Sequence, residues 1–277
     1  MEALLPALFV VAIWWFATRL ILVLDRLPRS TYRRSMWGAV AAATGALVCI
    51  ALTASDTGQS AAYLAFSSAI VVWGLPELGF LTGVLTGSRR HACPRRCGGI
   101  AHFRHAIEAI LYNELAIAAL ATAIVGLTWH AQNRVAAWTF CALWSMRAST
   151  KLNLFFGVRN WSEKLLPDHL RYLESFFKKQ PMNLLFPLSV TAATGATWTL
   201  VSRILDPATG GFDATGLTLV ATLLALGVLE HWFLVLPIPV EQLFGWGIVP
   251  LDDTKPAIRA NYEDTPPPAA VAVPPHP

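Results

Sequence analysis

Seven long apolar stretches, separated by polar segments, dominate the pattern of hydrophobic and polar positions along the chain. They cover residues 3–24, 36–54, 61–86, 107–127, 135–156, 184–205 and 215–236. Each stretch is close to the roughly 20 mainly apolar residues that a membrane-spanning helix needs. Because these runs are much longer than ordinary strands, their length predicts helices. We therefore expect an all-α integral membrane protein, a bundle of about seven transmembrane helices.

The positions of the basic residues predict an orientation for this bundle. Arginines and lysines concentrate after the first, third and fifth apolar stretches and again in the C-terminal tail. The opposite connections carry Arg134 and Arg203. Cytoplasmic loops of membrane proteins are enriched in positive residues. Seven spans with the N-terminus outside and the C-terminus in the cytoplasm place every basic segment on the cytoplasmic side.

Two further segments have compositions unlike a membrane span. In residues 158–182, apolar positions such as Leu166, Leu170 and Leu173 recur at spacings of three and four among charged residues. This pattern predicts a cytoplasmic amphipathic helix on the membrane surface, with Pro167 suited to starting a second piece. Residues 250–277 end in TPPPAAVAVPPHP and predict a disordered, extended tail. The polytopic domain is expected to cover residues 1–240.

Composition agrees with the membrane prediction and excludes one class of partner. Of 277 residues, 55% are hydrophobic and 14% charged, against roughly 25% charged in soluble chains. The net charge of +4 comes from basic residues in the connecting segments, so it indicates membrane topology and not nucleic-acid binding. We expect the lipid bilayer to be the main environment of the chain.

Ionisable residues inside the apolar stretches are the candidate functional residues, because a charge in the membrane is costly and usually has a purpose. Glu230 and His231 in the last stretch are the clearest examples. Arg147 and Lys151, four residues apart, share one helix face. All of these fall in the cytoplasmic half of the expected bundle. The full set is Glu77, Glu108, Glu114, Arg147, Lys151, Glu230 and His231, joined by Glu163 and His169 of the amphipathic segment.

Two interpretations of this set are open. In the structural one, Glu77, Glu114 and Glu230 form ion pairs with Arg147 and Lys151 that hold the helices together. In the other, excess carboxylate with His231 and His169 holds a metal ion or lines a cavity for a ligand. Di-metal bundles use Glu-x-x-His motifs, and none occurs in the chain. A chlorin magnesium bound by His231 or His130 is a further alternative.

Histidines and cysteines near the third connection suggest a second possible metal site. His102, His105 and Glu108 have three-residue spacing at a junction between loop and helix. Cys93 and Cys97 form a lone pair with His91 and His102 nearby, whereas a structural zinc site needs four ligands. Cys49 and Cys141 are expected to pack as small apolar residues. The sequence leaves zinc at this loop open, and the role of the two loop cysteines undetermined.

Several stretches resemble one protein family. They include WGLPELGFLTGVLTG, NELAIAALATA, RASTKLNLFFGVRNWSE, MNLLFPLSVTAAT and VLEHWFLVLPIP. Together they are similar to the photosynthetic complex assembly protein 2 family, also called PuhE, over roughly residues 1–240. Where that family's fourth span often reads His-His-Glu, this chain has Tyr112, Asn113 and Glu114. This difference argues against histidine ligands at that position.

The resemblance implies a multi-pass protein of the inner or intracytoplasmic membrane of photosynthetic purple bacteria. It implies a role in building or regulating the reaction centre and its light-harvesting complex, or in supplying pigment to them. We expect this role to be non-catalytic. The expected partners are reaction-centre or light-harvesting subunits or other assembly factors, with bacteriochlorophyll or a metal ion as the cofactors that remain open. The alternative is a membrane enzyme or carrier that acts on a tetrapyrrole or lipid through the buried Glu and His residues.

Overall fold

A computed structural model describes residues 3–94, 97–160 and 166–236, which fall in one compact unit. The α-helices of this part are α1 (Leu4–Asp25), α2 (Arg29–Thr53), α3 (Gln59–Leu81), α4 (Gly99–Thr128), α5 (Val135–Phe156), α6 (Leu185–Ile204) and α7 (Gly211–Val235). A 3-10 helix, Asp168–Phe176, lies between α5 and α6. The structure is therefore all-helical over the described residues.

Five of the helices, α1 to α4 and α7, are long and apolar enough to cross a membrane. The other two carry more polar side chains: α5 contains Arg147 and Lys151, and α6 is rich in threonine and serine. The prediction of a helical membrane protein is thus supported, while the crossing of α5 and α6 stays a prediction. Helices α2 and α4 begin well before the apolar stretches at residues 36 and 107, because polar residues continue both helices beyond the apolar part.

The core lies around α3 and α7, whose buried faces are the most extensive. Ala62, Ala65 and Ala69 on α3 are almost fully buried, and such small residues let neighbouring helices approach closely. The Trp73 ring of α3 meets the Phe140 ring of α5 edge to face, with 5.4 Å between centroids. Helices α3, α5 and α7 therefore form the packed centre, and α1, α2 and α4 expose most of their apolar surface.

Short connections join α1 to α2, α2 to α3, α4 to α5 and α6 to α7. One end of the bundle contains the turn from α1 to α2 and the loop between α3 and α4. We call it the basic end. Tyr32 there donates a hydrogen bond to the Asp25 carbonyl oxygen at 2.6 Å. At the same end, the Asn160 side chain donates to the Phe233 carbonyl oxygen at 3.0 Å and so joins the region after α5 to α7.

The segment predicted as an amphipathic α-helix over residues 158–182 differs from that expectation in its described part. Here the helical residues form the 3-10 helix, which begins directly after Pro167. Leu170, Leu173 and Phe176 are spaced three apart, so a helix of three residues per turn puts all of them on one face. That face packs against Phe80 of α3 and Ala109 of α4. The apolar side of this helix therefore covers the basic end of the bundle.

Two predictions fall outside the described residues. The Pro-rich tail, residues 250–277, is one of them. The other is Glu163, which belongs to residues 161–165. Both therefore stay predictions from sequence.

Candidate functional site

Polar side chains in the half of α5 nearer the basic end bind four other helical regions. Arg147 Nη2 lies 2.8 Å from Glu77 Oε2 of α3. Lys151 Nζ lies 2.5 Å from Glu114 Oε1 of α4. The spacing of four residues puts both bases on one face of α5, but each reaches a different helix. Glu77 and Glu114 thus make the ion pairs that the structural interpretation expects of them.

Asn113 connects the Lys151 pair to the proline in α3. With its amide nitrogen directed at α3, Asn113 donates to the Pro76 carbonyl oxygen at 3.0 Å, and its amide oxygen accepts from Lys151 Nζ at 3.0 Å. Lys151 Nζ also lies 5.5 Å from the centroid of the Phe80 ring. Lys151 therefore has a carboxylate, an amide oxygen and an aromatic face as neighbours, which compensates for its removal from water.

His231 of α7 is fully enclosed and hydrogen-bonded at both ring nitrogens. Its Nδ1 lies 2.9 Å from the Gly227 carbonyl oxygen, which can only accept, so Nδ1 carries a proton. Its Nε2 lies 2.8 Å from Ser149 Oγ of α5. A metal ion or a chlorin magnesium needs a free imidazole nitrogen, and Ser149 occupies the one that Gly227 leaves. This geometry favours a packing role for His231.

The hydrogen bonds continue from Ser149 to α6. Asn153 of α5 donates to the Ser149 carbonyl oxygen at 3.0 Å and to Ser189 Oγ of α6 at 3.2 Å. Asn183 donates to Asn153 Oδ1 at 3.1 Å and accepts from the Leu185 amide at 2.8 Å, which satisfies an amide in the first turn of α6. Helix α5 is therefore bonded to α3, α4, α6 and α7 by polar side chains. We call these side chains and their partners, together with Glu230, the α5 cluster.

Glu230 differs from the other carboxylates of the cluster. It accepts a hydrogen bond from Trp14 Nε1 of α1 at 3.2 Å, and among the described residues it forms no ion pair. Arg147 and Glu77 are close enough to act on it electrostatically. The buried Arg147 Nε has no hydrogen-bond partner within the described part of the chain. Within the described ranges, three carboxylates thus face two bases, and Glu230 is the one without a base of its own.

Glu108 and His169, the other described members of the predicted set, lie at the basic end. Glu108 lies 3.4 Å from Arg104 and 3.9 Å from Arg89, and neither contact joins the α5 cluster. His169 of the 3-10 helix is half-buried next to Gly83, and its burial lowers the pKa of the imidazole below the usual 6.5. Glu108 and His169 are therefore separate from the residues that α5 brings together.

Sequence reasoning missed the neutral members of the cluster. Trp14 bonds Glu230, and Asn113 bonds Lys151. Ser149 bonds His231, and the bonds then continue to α6 through Asn153, Asn183 and Ser189. Asn113, Asn153 and Asn183 are each no more than 7% exposed. Their signal in the sequence is the occurrence of amides within or beside apolar stretches, where every polar group needs a partner. That signal indicates burial, but it does not identify the partner.

A groove between α6 and α7 gives no alternative polar site. Its lining consists of Thr194, Thr197, Trp198, Val201, Ala225 and Val228. The groove is shallow and mainly apolar, and none of these residues offers an imidazole or a carboxylate. Among the described residues, the candidate sites with ionisable groups are therefore the α5 cluster and the basic end.

Comparisons with known proteins give the family. A model of the family described as "Protein of unknown function (DUF3623)" matches residues 1–255. An "Uncharacterized 30.4 kDa protein in puhA 5'region" of Rhodobacter capsulatus is 36% identical over 253 residues, which cover 90% of this chain and 92% of that protein. No solved structure matches the chain. The chain belongs to the DUF3623 family.

Proposed function

We propose that the protein is a non-catalytic assembly factor for the bacterial photosynthetic reaction centre and its light-harvesting complex. The support comes first from its relative, whose gene lies in the region 5′ of puhA, a reaction-centre gene. The sequence resemblance described above points to the same process. The proposal places the chain in the inner or intracytoplasmic membrane of a purple bacterium, with the N-terminus periplasmic and the C-terminus cytoplasmic.

The observation that carries the non-catalytic part is the arrangement around α5. Arg147, Ser149, Lys151 and Asn153 are each bonded to a different neighbouring element. A general acid or base must reach a substrate within hydrogen-bond distance. Here Glu77, Glu114 and His231 are already occupied by protein groups. The cluster therefore serves to fix helix positions, and recognition falls to the outer surface.

The surface that suits a partner lies at the basic end. Ile100 and Phe103 in the first turns of α4 are 87% and 42% exposed, and Leu184 just before α6 is 92% exposed. Arg104 and Arg171 are exposed at the same end. Apolar anchors surrounded by basic side chains are typical of sites for protein partners. We propose that a reaction-centre or light-harvesting subunit, or another assembly factor, binds here on the cytoplasmic side.

Glu230 favours one alternative. A carboxylate inside the bundle without a base of its own could act on a tetrapyrrole or lipid, in which case the protein is a membrane enzyme or carrier. Glu230→Gln keeps the side-chain volume and distinguishes the two proposals. A packing role predicts a reduced amount of protein, whereas catalysis predicts a normal amount of protein and an accumulated precursor.

Affinity purification from phototrophically grown membranes tests the binding proposal. The tagged chain should retain a photosynthetic subunit, and Ile100→Glu together with Phe103→Glu should release it. The matched control is Trp129→Glu with Leu205→Glu, on exposed positions just after α4 and α6 at the opposite end of the bundle. Equal recovery of photosynthetic subunits by the wild type and by an unrelated membrane protein with the same tag would contradict the proposal.

A further inference from the structure

Two cysteines and two histidines converge at the basic end, outside the α5 cluster. Cys93 and Cys97 lie in the loop between α3 and α4, and His102 and His105 lie in the first turns of α4. Because the histidines are three residues apart on a helix, they lie on the same side of it. The loop folds back along α4, so both sulfur atoms reach the histidine side chains.

The distances between the sulfur and nitrogen atoms match a single shared ion. Cys93 Sγ lies 3.2 Å from His102 Nδ1 and 3.6 Å from His105 Nδ1, and Cys97 Sγ lies 3.1 Å from His105 Nδ1. A tetrahedral zinc ion has bonds of about 2.3 Å to sulfur and about 2.0–2.1 Å to nitrogen, which separates neighbouring ligands by about 3.5 Å. The ligand atoms of Cys93, Cys97 and His102 all lie within 4.8 Å of one another, and His105 joins this group through its contacts with the two sulfur atoms.

We propose that Cys93, Cys97, His102 and His105 form a binding site for one tetrahedrally coordinated divalent cation, and that this cation is zinc. Two thiolates and two imidazoles are a set that zinc prefers, and the three residues between the cysteines fall within the usual spacing for such sites. Four protein ligands leave no position for water or substrate. The site is therefore structural.

A hydrogen-bonded cluster and an iron–sulfur centre account for the geometry less well. Thiols are weak donors and sulfur is a weak acceptor, so thiol–imidazole contacts alone give little reason for four such groups to meet. In Rieske clusters the histidines and cysteines bind different iron atoms. Here Cys93 and Cys97 each contact a histidine nitrogen directly, which is the arrangement around one ion.

The surroundings of the site explain what the ion would stabilise. The His102 ring stacks on Phe155 of α5, with 5.3 Å between centroids, and lies 5.6 Å from Phe176 of the 3-10 helix. The Cys93 amide donates to Ser175 Oγ of the same 3-10 helix at 2.9 Å. Zinc would therefore fix the loop between α3 and α4 to the start of α4, next to the apolar residues that cover the basic end. This proposal does not depend on the proposed function.

Metal analysis of the full-length protein in detergent, purified with thiols reduced, tests the site directly. The wild type should contain about one zinc per chain. Cys93→Ser, Cys97→Ser, His102→Asn and His105→Asn should each remove the zinc. Cys49→Ser, Cys141→Ser and His130→Asn are matched controls at positions outside the site and should retain it. Cobalt(II) added to metal-free wild type should give the strong visible absorption of a tetrahedral ion with sulfur ligands.

A second measurement covers variants that fail to fold. In the wild type, added zinc should protect Cys93 and Cys97 from alkylation and leave the alkylation of Cys141 unchanged, as read by mass spectrometry. Absence of bound zinc together with failure to bind cobalt(II) would overturn the proposal. So would a Cys93–Cys97 disulfide in protein purified without reductant, two irons per chain, or retention of full zinc affinity by any of the four ligand variants.

Discussion

Lys151 Nζ of α5 lies 2.5 Å from Glu114 Oε1 of α4, and the two side chains are only 17% and 27% exposed. Asn113 and the Phe80 ring complete the surroundings of the lysine. The pair therefore joins two helices through charges that have lost most of their contact with solvent. Removing two charges from solvent costs free energy, and removing one partner of the pair costs more, because it leaves a buried charge without compensation.

Breaking this pair on one side should destabilise the bundle strongly. Lys151→Met leaves Glu114 without its base, and we expect a loss of about 3–5 kcal/mol. The double variant Lys151→Met with Glu114→Leu removes both charges and should recover most of that loss. Arg171 and Asp168 form an exposed pair at 3.1 Å, and Arg171→Met is the matched control, with an expected loss of about 0–1 kcal/mol. Unfolding in detergent measures these variants together with Glu114→Leu alone, and a double variant whose loss equals the sum of the two single losses would argue against the pairing.

The bond between Ser149 and His231 should also have a measurable effect. Ser149→Ala leaves the buried His231 Nε2 without a partner, for which we expect a loss of about 1–3 kcal/mol in the free energy of unfolding. Ser202→Ala on α6 is the control, because its exposed hydroxyl bonds the Trp198 carbonyl oxygen of its own helix and no side chain of another described helix. The comparison uses the same unfolding assay. Equal stability of the two variants would show that the contact with His231 contributes nothing.

Among the glycines of the described chain, Gly87 has the closest backbone neighbour, across the contact between α4 and the loop that precedes it. A Cβ atom there would lie 1.9 Å from the Glu108 carbonyl oxygen and 2.6 Å from the Ala109 carbonyl carbon. Gly87→Ala should therefore displace the loop from α4 at a cost of about 3 kcal/mol, the upper part of the range for overpacking. Gly126→Ala in α4 meets nothing within 4 Å and should stabilise the helix by about 0.5–1 kcal/mol. Thermal unfolding that ranks both variants alike would contradict this packing.

His169 should make stability depend on pH in a defined direction. Its burial lowers the pKa of the folded imidazole below 6.5. A backbone hydrogen bond with Leu81 raises this pKa in part, Arg29 lowers it further, and Asp168 raises it. The unfolded chain therefore takes up the proton first as pH falls. The stability that neutral His169 contributes is complete above pH 6.5 and is lost as pH falls through the folded pKa.

Unfolding followed from pH 8 down to about pH 5 checks this dependence, since histidines titrate in that range. His169→Gln should give a flatter profile than the wild type. His130→Gln is the control, and its profile should match that of the wild type. A wild-type slope that His169→Gln leaves unchanged would assign the dependence to other groups.

The length of the apolar stretches predicted the helices well, because a helix that crosses a membrane must be apolar over its whole span. Glu77, Glu114, Arg147 and Lys151 could be selected because charged residues inside such stretches are costly and need partners. The partners were less predictable. Trp14 and Glu230 are 216 positions apart, and Ser149 and His231 are 82 apart. The residues next to each partner in the sequence give no information about which distant residue it contacts.

The basic end shows the same limit in another form. His105 was grouped with Glu108 by spacing, yet it contacts Cys93 and Cys97 because the loop before α4 folds back. The amphipathic pattern of residues 158–182 predicted an α-helix, whereas spacing of three among Leu170, Leu173 and Phe176 suits the observed 3-10 helix. Tertiary contact with Phe80 and Ala109 selected between two periodicities that the sequence alone permits.

The central claim is that the protein supports the assembly of photosynthetic complexes, and the absorption spectrum of a deletion strain tests it most directly. Membranes of phototrophically grown cells that lack the gene should show reduced reaction-centre or light-harvesting absorption. Wild-type protein should restore that absorption, and Lys151→Met, through loss of the fold, should restore much less. Unchanged absorption and unchanged phototrophic growth in the deletion strain would contradict the claim.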